Sequence, residues 1–401
     1  MKVLLGVSGG IAAYKAAHIV REFVKRGDEV RVVMTRGAQQ FITPMTLQVL
    51  SNHPVGVDLF DVAFESEIGH IELARWPDVI LVAPATAHVI AKMNAGMADD
   101  LLSTILLATT APVVVAPAMN TQMYLHPRVQ KNMRELEEMG YLMISPDSGE
   151  LACKEVGPGR LPDPPILVSG VLRAAGPHSL RGKHVLITAG PTREYIDPAR
   201  FISNPSTGKM GFALATQAFQ MGARVTLVSG PTWLEDPVGV EVVRVTTARE
   251  MYDAVMSRAE KQDVIVKSAA VADWRPANPS EKKRSKGDMD GTLQLERNPD
   301  ILATLGEQYG PGKTSGPLIV GYGAESHDVV ERGRAKLARK GAHWLVANKI
   351  GGPNSAFGAD VSSISMIHHD PDSGVIEYGP ATKDEIAARI WTEVARDLST
   401  R

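Results

Sequence analysis

Cys153 is the single cysteine among 401 residues, and it lies in the segment 149–160, which glycines and a proline interrupt. Such a segment is typical of a surface loop, where a thiol is accessible to a ligand. The nearby cationic side chains of Lys154 and Arg160 favour the thiolate form of that thiol. An isolated cysteine is also commonly a small apolar residue of a core, so its position alone leaves catalytic and structural interpretations open.

Two other side chains are of types that handle protons or carboxylates. His70 precedes an apolar run at 79–83. An imidazole exchanges protons near neutral pH, although a histidine with a purely structural hydrogen bond has the same spacing. Asn120 ends the segment 116–120 at the carboxyl end of a predicted strand. Its amide is suited to binding a carboxylate, whereas an asparagine after a strand is more often part of a turn.

A glycine-rich turn, Ser8-Gly9-Gly10, joins a predicted strand to a predicted helix. Glycine lets a phosphate approach the backbone, where free N–H groups and the helix dipole attract an anion. The turn is not a GxGxxG fingerprint, and no acidic residue stands clearly on the second strand to bind a ribose. The pattern therefore favours a mononucleotide such as FMN over NAD.

A basic segment at 281–288 carries three lysines and an arginine. Such a run is usually a solvated loop. The alternative is a mobile clamp on a polyphosphate, because cationic side chains offset phosphate charge and a loop can close after the ligand enters.

Alternating strand and helix patterns predict an α/β protein with two doubly wound, Rossmann-like domains and mainly parallel sheets. The first pattern begins with a strand at 2–7 and weakens across 161–182, where glycine and proline are frequent. A new strand at 183–190 restarts it. We therefore expect a first domain at 1–180, including a C-terminal linker, and a second at 181–401. Capping boxes at Thr247 and Thr382 predict two helix starts in the second domain.

The composition is that of a soluble globular protein, with 44% hydrophobic and 22% charged residues. A formal net charge of −2 gives no bulk attraction for nucleic acid or anionic membranes. One cysteine excludes an internal disulfide framework and fits a reducing cytosol. The chain has no run of 18 apolar residues and opens on a strand pattern, not a signal peptide. We therefore expect a cytoplasmic protein with neither nucleic-acid nor membrane partners.

Ordered motifs in both halves resemble known enzyme families. The first half resembles the homo-oligomeric flavin-containing cysteine decarboxylases, through residues 8–15, 35, 41–44, 69–71, 83–87, 94–102, 117–120 and the Cys153 segment. The second half resembles CTP-dependent phosphopantothenate–cysteine ligases, through residues 187–194, 200–211, 268–274 and 298–301. Together they resemble a bifunctional family in which that ligase is fused to a phosphopantothenoylcysteine decarboxylase, and the likeness covers nearly the whole chain.

For the decarboxylase, the resemblance implies bound FMN. The residues matching the flavin site are Ser8, Gly9, Gly10, Thr35, Phe41, Thr86, Ala87 and Ala118. Flavin would oxidise the cysteine moiety of the substrate to a thioaldehyde, which makes loss of the neighbouring carboxylate feasible. Asn120 would hold that carboxylate and His70 would assist proton movement. Cys153 would protonate the enethiolate as reduced flavin returns a hydride.

For the ligase, the resemblance implies that CTP activates 4'-phosphopantothenate as an acyl-cytidylate with release of pyrophosphate. The amine of L-cysteine would then displace CMP. Arg200 and Asn204 would hold the intermediate, and Lys282 in the basic segment would offset triphosphate charge as a catalytic residue. The other positions matching the substrate site are Ala269, Ala270, Asp273, Pro299, Asp300, Ile301, Leu302, Tyr322, Lys336 and Lys340. Mg²⁺ is expected with the triphosphate, and Asp273 is its candidate ligand.

The implied partners are 4'-phosphopantothenate, CTP, L-cysteine and phosphopantothenoylcysteine. A homo-oligomer is also implied, with trimeric contacts in the first half and dimeric contacts in the second, which together allow a dodecamer. Three positions depart from the family pattern: Lys154 replaces glycine, Thr207 replaces serine and Tyr322 replaces phenylalanine.

Two alternatives remain. A flavin-binding regulatory protein without turnover is opposed by the presence of His70, Asn120 and Cys153 and by the attached ligase half. An NAD-dependent dehydrogenase is disfavoured by the missing dinucleotide fingerprint.

Overall fold

The computed structural model describes residues 1–60, 69–151, 154–285, 292–325, 327–349 and 360–400. These ranges form two units, Met1–Gly176 and Pro177–Arg401, each built on its own sheet. No helix within them has the length and apolar character needed to cross a bilayer. The predicted α/β class with two mainly parallel sheets is confirmed.

Six parallel strands form the sheet of unit 1, in the order β3-β2-β1-β4-β5-β6. They are β1 (Lys2–Val7), β2 (Glu29–Met34), β3 (Val55–Gly56), β4 (Val79–Ala85), β5 (Val113–Pro117) and β6 (Leu142–Met143). Every residue of β4 and β5 is buried, because helices cover both faces of a parallel sheet and leave its strands no polar side.

Helices lie on the two faces of this sheet, and most of them bury apolar residues against it. They are α1 (Lys15–Lys25), α2 (Pro44–Ser51), α3 (His70–Arg75), α4 (Ala87–Ala95), α5 (Leu101–Ala108), α6 (Thr121–Leu125), α7 (Pro127–Glu138) and α8 (Pro164–Ala175). In α1, Ile19, Val20 and Phe23 are fully buried at helical spacing. Just beyond the end of α1, Gly27 has a φ of +83°, a conformation that glycine adopts without a steric cost.

Part of the segment interpreted as a linker is a helix of unit 1. The sequence pattern weakens at 161–182, but α8 begins there with Pro164 and Pro165 and buries Leu167 and Val171. Prolines are tolerated at a helix start because the N–H groups they lack have no partner there. The linker prediction was therefore wrong for the greater part of this segment.

A hairpin stands apart from the main sheet of unit 1. Its antiparallel strands are β7 (Asp147–Glu150) and β8 (Val156–Arg160). The N–H of Met119 donates to the carbonyl of Gly159 at 3.0 Å, which ties β8 to the end of β5. Cys153 lies outside the described residues, so its predicted place on a surface loop stays a prediction.

Eight strands form the main sheet of unit 2, in the order β13-β12-β9-β14-β17-β18-β19-β20. Pairing is parallel as far as β18, and β19 and β20 add antiparallel strands at one edge. The strands are β9 (His184–Ala189), β12 (Arg224–Ser229), β13 (Glu241–Arg244), β14 (Val264–Lys267), β17 (Leu318–Glu325), β18 (Trp344–Lys349), β19 (Val361–His368) and β20 (Val375–Thr382). Two small antiparallel pairs are β10 (Arg193–Asp197) with β11 (Arg200–Ser203) and β15 (Trp274–Pro276) with β16 (Leu295–Arg297).

The helices of unit 2 are α9 (Lys209–Gln220), α10 (Ala248–Met256), α11 (Ile301–Tyr309), α12 (Val329–Lys340) and α13 (Lys383–Thr400). The capping box predicted for α13 is present: Glu385 N–H donates to Thr382 Oγ1 at 3.3 Å, and Thr382 N–H donates to the Glu385 carboxylate at 2.8 Å. At the start of α10, Glu250 N–H donates to Thr247 Oγ1 as predicted. The Glu250 carboxylate, however, accepts from the N–H of Thr246 instead of that of Thr247.

Gly211 lets α9 pack closely on β9. A Cβ added at Gly211 would lie 2.5 Å from the Cβ of Ala189 and 2.9 Å from Ser268 Oγ. Both contacts are shorter than those that real Cβ atoms make. Any larger residue would therefore push α9 away from the end of β9.

We predict that Gly211→Ala lowers the free energy of unfolding by about 1–3 kcal/mol, the usual cost of overpacking a tight contact. Gly149→Ala is the control, because its added methyl would lie 3.9 Å from the nearest atom. Urea unfolding of the full-length protein measures both. Equal stability of the two variants would contradict the close packing.

Candidate active sites

Each sheet opens a crevice beside its first strand. In unit 1, β1 lies between β2 and β4, and in unit 2, β9 lies between β12 and β14. The strand order reverses at β1 and at β9, so the connections on the two sides of each of these strands run in opposite directions and leave a gap. Ligands of doubly wound folds bind in this gap, outside the carboxyl ends of the strands. We call the gap of unit 1 the first crevice and that of unit 2 the second crevice. The predicted residues Ser8 and Thr86 follow β1 and β4, and Ala269 follows β14.

Ser8 joins the ends of β1 and β4. Its Oγ donates to the carbonyl of Pro84 at 2.7 Å and accepts from the N–H of Thr86 at 3.0 Å. Thr86 in turn caps α4, since its Oγ1 accepts from Val89 N–H at 3.4 Å. Ser8 is 1% exposed, so its hydroxyl fixes the shape of the glycine turn.

Gly9 brings this turn against the turn after β2. A Cβ at Gly9 would lie 2.7 Å from the carbonyl carbon of Gly37. Thr35 directly follows β2 and begins this second turn. Its N–H donates to Val7 O at 3.0 Å, and its Oγ1 accepts from Ala38 N–H at 3.3 Å. Gly10 is open by contrast, because a Cβ there would meet nothing closer than Thr86 Cγ2 at 3.8 Å.

Two cavities meet at the glycine turn and share Gly9, Thr86 and Met123. The larger has a volume of about 860 Å³, and its lining includes Ser8, Gly9, Thr35, Thr86 and Ala87. The smaller has a volume of about 460 Å³, and its lining includes Gly9, Gly10, Thr86, Ala118 and Asn120.

Two of the predicted residues do not line these cavities. Phe41 is 48% exposed and lies outside both linings. His70, the first residue of α3, also lines neither cavity.

Asn120 combines a structural and a binding position. Its Oδ1 accepts from Gln122 N–H at 2.8 Å and caps α6, and its amide nitrogen donates to the Glu155 carboxylate at 2.6 Å. The turn interpretation of Asn120 is thus correct as well, and it coexists with a position on the wall of the smaller cavity.

Sequence reasoning missed an ion cluster on the wall of the larger cavity. Lys92 Nζ lies 2.7 Å from Asp99 Oδ1 and 2.8 Å from Asp100 Oδ2. Burial opposes the ammonium charge, but hydrogen bonds to Asp100 and Asp99 raise the pKa of Lys92 above its ordinary value. The adjacent residues Asp99 and Asp100, in the motif 94–102, are the sequence feature that could have indicated this cluster.

In unit 2, two cavities of about 410 and 290 Å³ share Lys267, Val271 and Asp273. Most predicted ligase residues line them. The larger includes Asn204, Ala269, Ala270, Asp273, Tyr322 and Lys336, and the smaller includes Asp273, Pro299, Asp300 and Ile301.

Backbone hydrogen bonds hold the loop after β14 against the loop after β9. Ala270 N–H donates to Gly190 O at 3.0 Å, and Ala269 N–H donates to Thr188 Oγ1 at 3.1 Å. The amide nitrogen of Asn204 donates to Ala270 O at 2.9 Å. That bond uses one of the two N–H groups of the amide, so the carbonyl oxygen and the second N–H of Asn204 are both suited to contact a ligand.

Lys267, which ends β14 between the two cavities, was not predicted. Burial, together with the nearby ammonium of Lys336, lowers the pKa of Lys267 from 10.5 to about 8, against the opposing effect of Asp300. Burial also lowers the pKa of Lys336 below its ordinary value. An anion placed between these two cations would relieve their repulsion.

Four predicted residues lie elsewhere. Lys340 pairs with Asp300, the N-cap of α11, and is not among the lining residues. Leu302 is 3% exposed and belongs to the core. Leu302 is not among the lining residues, and its assignment to the pocket stays a prediction.

Arg200 and Lys282 also lie outside the two linings. Arg200 donates to the carbonyl of Arg284 at 3.2 Å, and the N–H of Arg284 donates to Asp197 at 3.3 Å. These bonds fasten the basic segment to the β10–β11 hairpin. Residues 286–291 lie outside the described part of the chain. The prediction that the basic segment closes on a polyphosphate therefore stays a prediction.

Tyr322, which replaces the expected phenylalanine, places a buried hydroxyl at the larger cavity. Within the described ranges this hydroxyl has no hydrogen-bond partner, and burial raises the pKa of Tyr322. The described ranges hold no group of three or more His, Cys, Asp or Glu side chains that could bind a metal ion. Asp273 remains a candidate ligand that would need donors from a substrate.

Comparison with known proteins supports both halves. Residues 1–176 match the family model described as Flavoprotein, and residues 180–398 match the DNA/pantothenate metabolism flavoprotein C-terminal domain. A Vibrio parahaemolyticus protein named coenzyme A biosynthesis bifunctional protein CoaBC is 47% identical over 399 residues, which cover 99% of this chain and 98% of its own.

Relatives of the same name occur in Bacillus subtilis and Escherichia coli. They are each 46% identical and cover 98% and 92% of this chain and 96% and 91% of their own. A solved C-terminal domain of a protein with that name is 40% identical and covers 56% of this chain and all of its own, with a TM-score of 0.47.

Two doubly wound units, each with a crevice at its strand-order reversal, and a flavoprotein first half define a two-site α/β enzyme. The chain belongs to the family of coenzyme A biosynthesis bifunctional proteins CoaBC. The predicted family, fold class and assignment as a bifunctional enzyme are confirmed.

We predict that Lys267→Met raises the free energy of unfolding at pH 7 by up to about 3 kcal/mol, because wild type buries an ammonium there. Between about pH 8 and 10.5 the unfolded chain binds the lysine proton that the folded chain has lost, so wild-type stability rises with pH. The advantage of the variant should therefore shrink over that interval. Urea unfolding at pH 7 and pH 10 measures it.

Lys340→Met is the matched control, since Lys340 already has a carboxylate partner in Asp300. This variant should gain no stability at pH 7. A Lys267 variant whose advantage is the same at both pH values would show that Lys267 titrates normally.

Proposed function

We propose that this chain catalyses two consecutive steps of coenzyme A biosynthesis. The predicted domain 181–401 would join L-cysteine to 4'-phosphopantothenate with CTP. The predicted domain 1–180 would decarboxylate the phosphopantothenoylcysteine to 4'-phosphopantetheine. The observation that carries the proposal is the contrast between the crevices. The first pairs a glycine turn with a largely apolar wall, and the second gathers Lys267 and Lys336 around Asp273.

The first crevice fits FMN. Its glycine turn leads through a 3₁₀ turn at Ile11–Tyr14 into α1, which places the positive end of a helix dipole near a phosphate. Gly10 leaves the backbone open to such a group. The wall beyond it includes Ile11, Met119 and Leu161, which suits a flat ring system. FMN, when bound, would supply the oxidation of the substrate's cysteine moiety.

Within this crevice, Asn120 would bind the substrate carboxylate through its amide nitrogen. Cys153 would donate the proton that completes the product, and the nearness of Asn120 to the hairpin β7–β8, which precedes and follows Cys153, supports that role. His70 keeps the support of the sequence resemblance alone, since it lines neither cavity of one chain.

The second crevice fits a triphosphate and an activated carboxylate. Lys267 and Lys336 would offset phosphate charge, with Asp273 and the triphosphate oxygens together holding Mg²⁺. Asn204 would contact the acyl-cytidylate with its carbonyl oxygen, and residues 299–301 would bound the nucleotide. Arg200, Lys282 and Lys340 keep their roles from the resemblance, as do the trimeric and dimeric contacts, the dodecamer and the cytoplasmic location.

We predict that the protein, given 4'-phosphopantothenate, L-cysteine and CTP, releases pyrophosphate and carbon dioxide. ATP in place of CTP should release neither. Pyrophosphate assays and ¹⁴CO₂ capture from carboxyl-labelled cysteine measure the two steps separately. Preformed phosphopantothenoylcysteine tests the decarboxylase without the ligase.

A protein that stays yellow yet releases no carbon dioxide from preformed phosphopantothenoylcysteine would favour the non-catalytic flavin-binding alternative. Pyrophosphate release with ATP but not CTP would overturn the assigned nucleotide.

We also predict that Gly9→Ala purifies with at least tenfold less flavin than wild type. Its methyl would collide with the backbone of Gly37 at 2.7 Å, and neither backbone can move aside without opening the turn. Gly149→Ala is the control, because Gly149 lines neither cavity and its added methyl would lie 3.9 Å from the nearest atom. The ratio of flavin absorbance to protein absorbance measures both variants. Full flavin content in Gly9→Ala would contradict the role of the tight turn.

A further inference from the structure

The orientation of the Asn120 amide is fixed by its own helix. The carbonyl oxygen accepts from Gln122 N–H at 2.8 Å, so rotating the amide by 180° would replace that bond with a contact between two donors. The amide nitrogen therefore points away from the N–H of Gln122, and Asn120 itself lines the smaller cavity of unit 1.

Glu155 already occupies that donor. Its Oε2 accepts from the Asn120 amide nitrogen at 2.6 Å, a charge-assisted hydrogen bond of ordinary length. Glu155 is exposed and directly precedes β8, whereas Asn120 follows β5, so the contact joins the hairpin to the end of the main sheet. A glutamate carboxylate and a substrate carboxylate are chemically equivalent ligands for this one amide group.

We propose that Glu155 is an internal competitor for the carboxylate position of the decarboxylase site. The inference rests on the proposed function, in which Asn120 binds the substrate carboxylate. The amide nitrogen has two N–H groups, but two carboxylates bound to it at once would lie close enough to repel each other. Substrate must therefore displace Glu155, and loss of the substrate carboxylate as carbon dioxide frees Asn120 for Glu155 to return.

Such competition lowers affinity for ligands that carry the carboxylate and leaves affinity for decarboxylated ligands unchanged. Glu155 thus weakens binding of the substrate relative to binding of the product, because only the substrate competes with it for Asn120. Glu155 is a positioning residue here, since it acts through Asn120 and touches no reacting atom.

A pair of unreactive ligands separates these effects. The alanine amide of 4'-phosphopantothenate keeps the carboxylate but has no thiol to oxidise, and the corresponding ethylamide also lacks the carboxylate. Titration of the flavin absorbance gives the dissociation constant of each without turnover. In Glu155→Ala the alanine ligand should bind about threefold to tenfold more tightly, the range for a single exposed hydrogen bond, and the ethylamide should be unchanged.

Two further variants identify the cause. Asp147→Ala removes a carboxylate from the same hairpin at a residue that does not line the cavity, and it leaves the Asn120–Glu155 contact, so the ratio of the two dissociation constants should stay at the wild-type value. Asn120→Ser keeps a capping hydroxyl for α6 but removes the amide donor. In that background, adding Glu155→Ala should leave the ratio unchanged.

Three results would overturn the proposal: equal tightening of both ligands in Glu155→Ala, no tightening of either, or weaker binding of the alanine ligand. Equal tightening would assign the effect to net charge, and weaker binding would make Glu155 a direct substrate contact. Failure of the wild-type protein to bind the ligands or to release carbon dioxide would instead remove the proposed decarboxylase function.

Discussion

The reversal of strand order beside β1 and β9 is the constraint on which both crevices depend. In each sheet, parallel pairing holds the central strands at fixed register while their connections leave in opposite directions. Ser8 shows how tightly the register matters, because its hydroxyl reaches both Pro84 and Thr86 across the β1–β4 boundary. A slip of one residue would turn this hydroxyl to the other face and lose both bonds.

Several side chains at the crevices also cap helices. Thr86, Asn120 and Asp300 each accept a hydrogen bond from the first turn of the helix that follows them. A helix that starts directly after a strand needs such an acceptor, and the end of the strand is also where ligands meet the sheet. The same hydrogen bond therefore starts the helix and sets the side chain's orientation towards the cavity.

The sequence was informative wherever burial or strand ends controlled the pattern. The apolar run at 79–83 lies within β4, Val79–Ala85, because a strand covered on both faces leaves no polar interruption. The helix α8 was predicted as a linker because its first residues are prolines, which have a low helix propensity. Lys267 could not be singled out, since its lowered pKa results from burial and from Lys336, which lies on α12, a later element that the fold brings to it. Pattern reasoning assigned Leu302 to the pocket without giving the direction of its side chain on α11, where it is buried in the core.

The hydroxyl of Tyr322 is a buried polar group beside the second crevice. It is shielded from solvent and has no hydrogen-bond acceptor among the described residues, so the protein leaves its desolvation uncompensated. The phenylalanine of the family pattern would fill the same space without that penalty. The extra oxygen atom of this chain is therefore a local cost in folding free energy, which the packing of the ring has to offset.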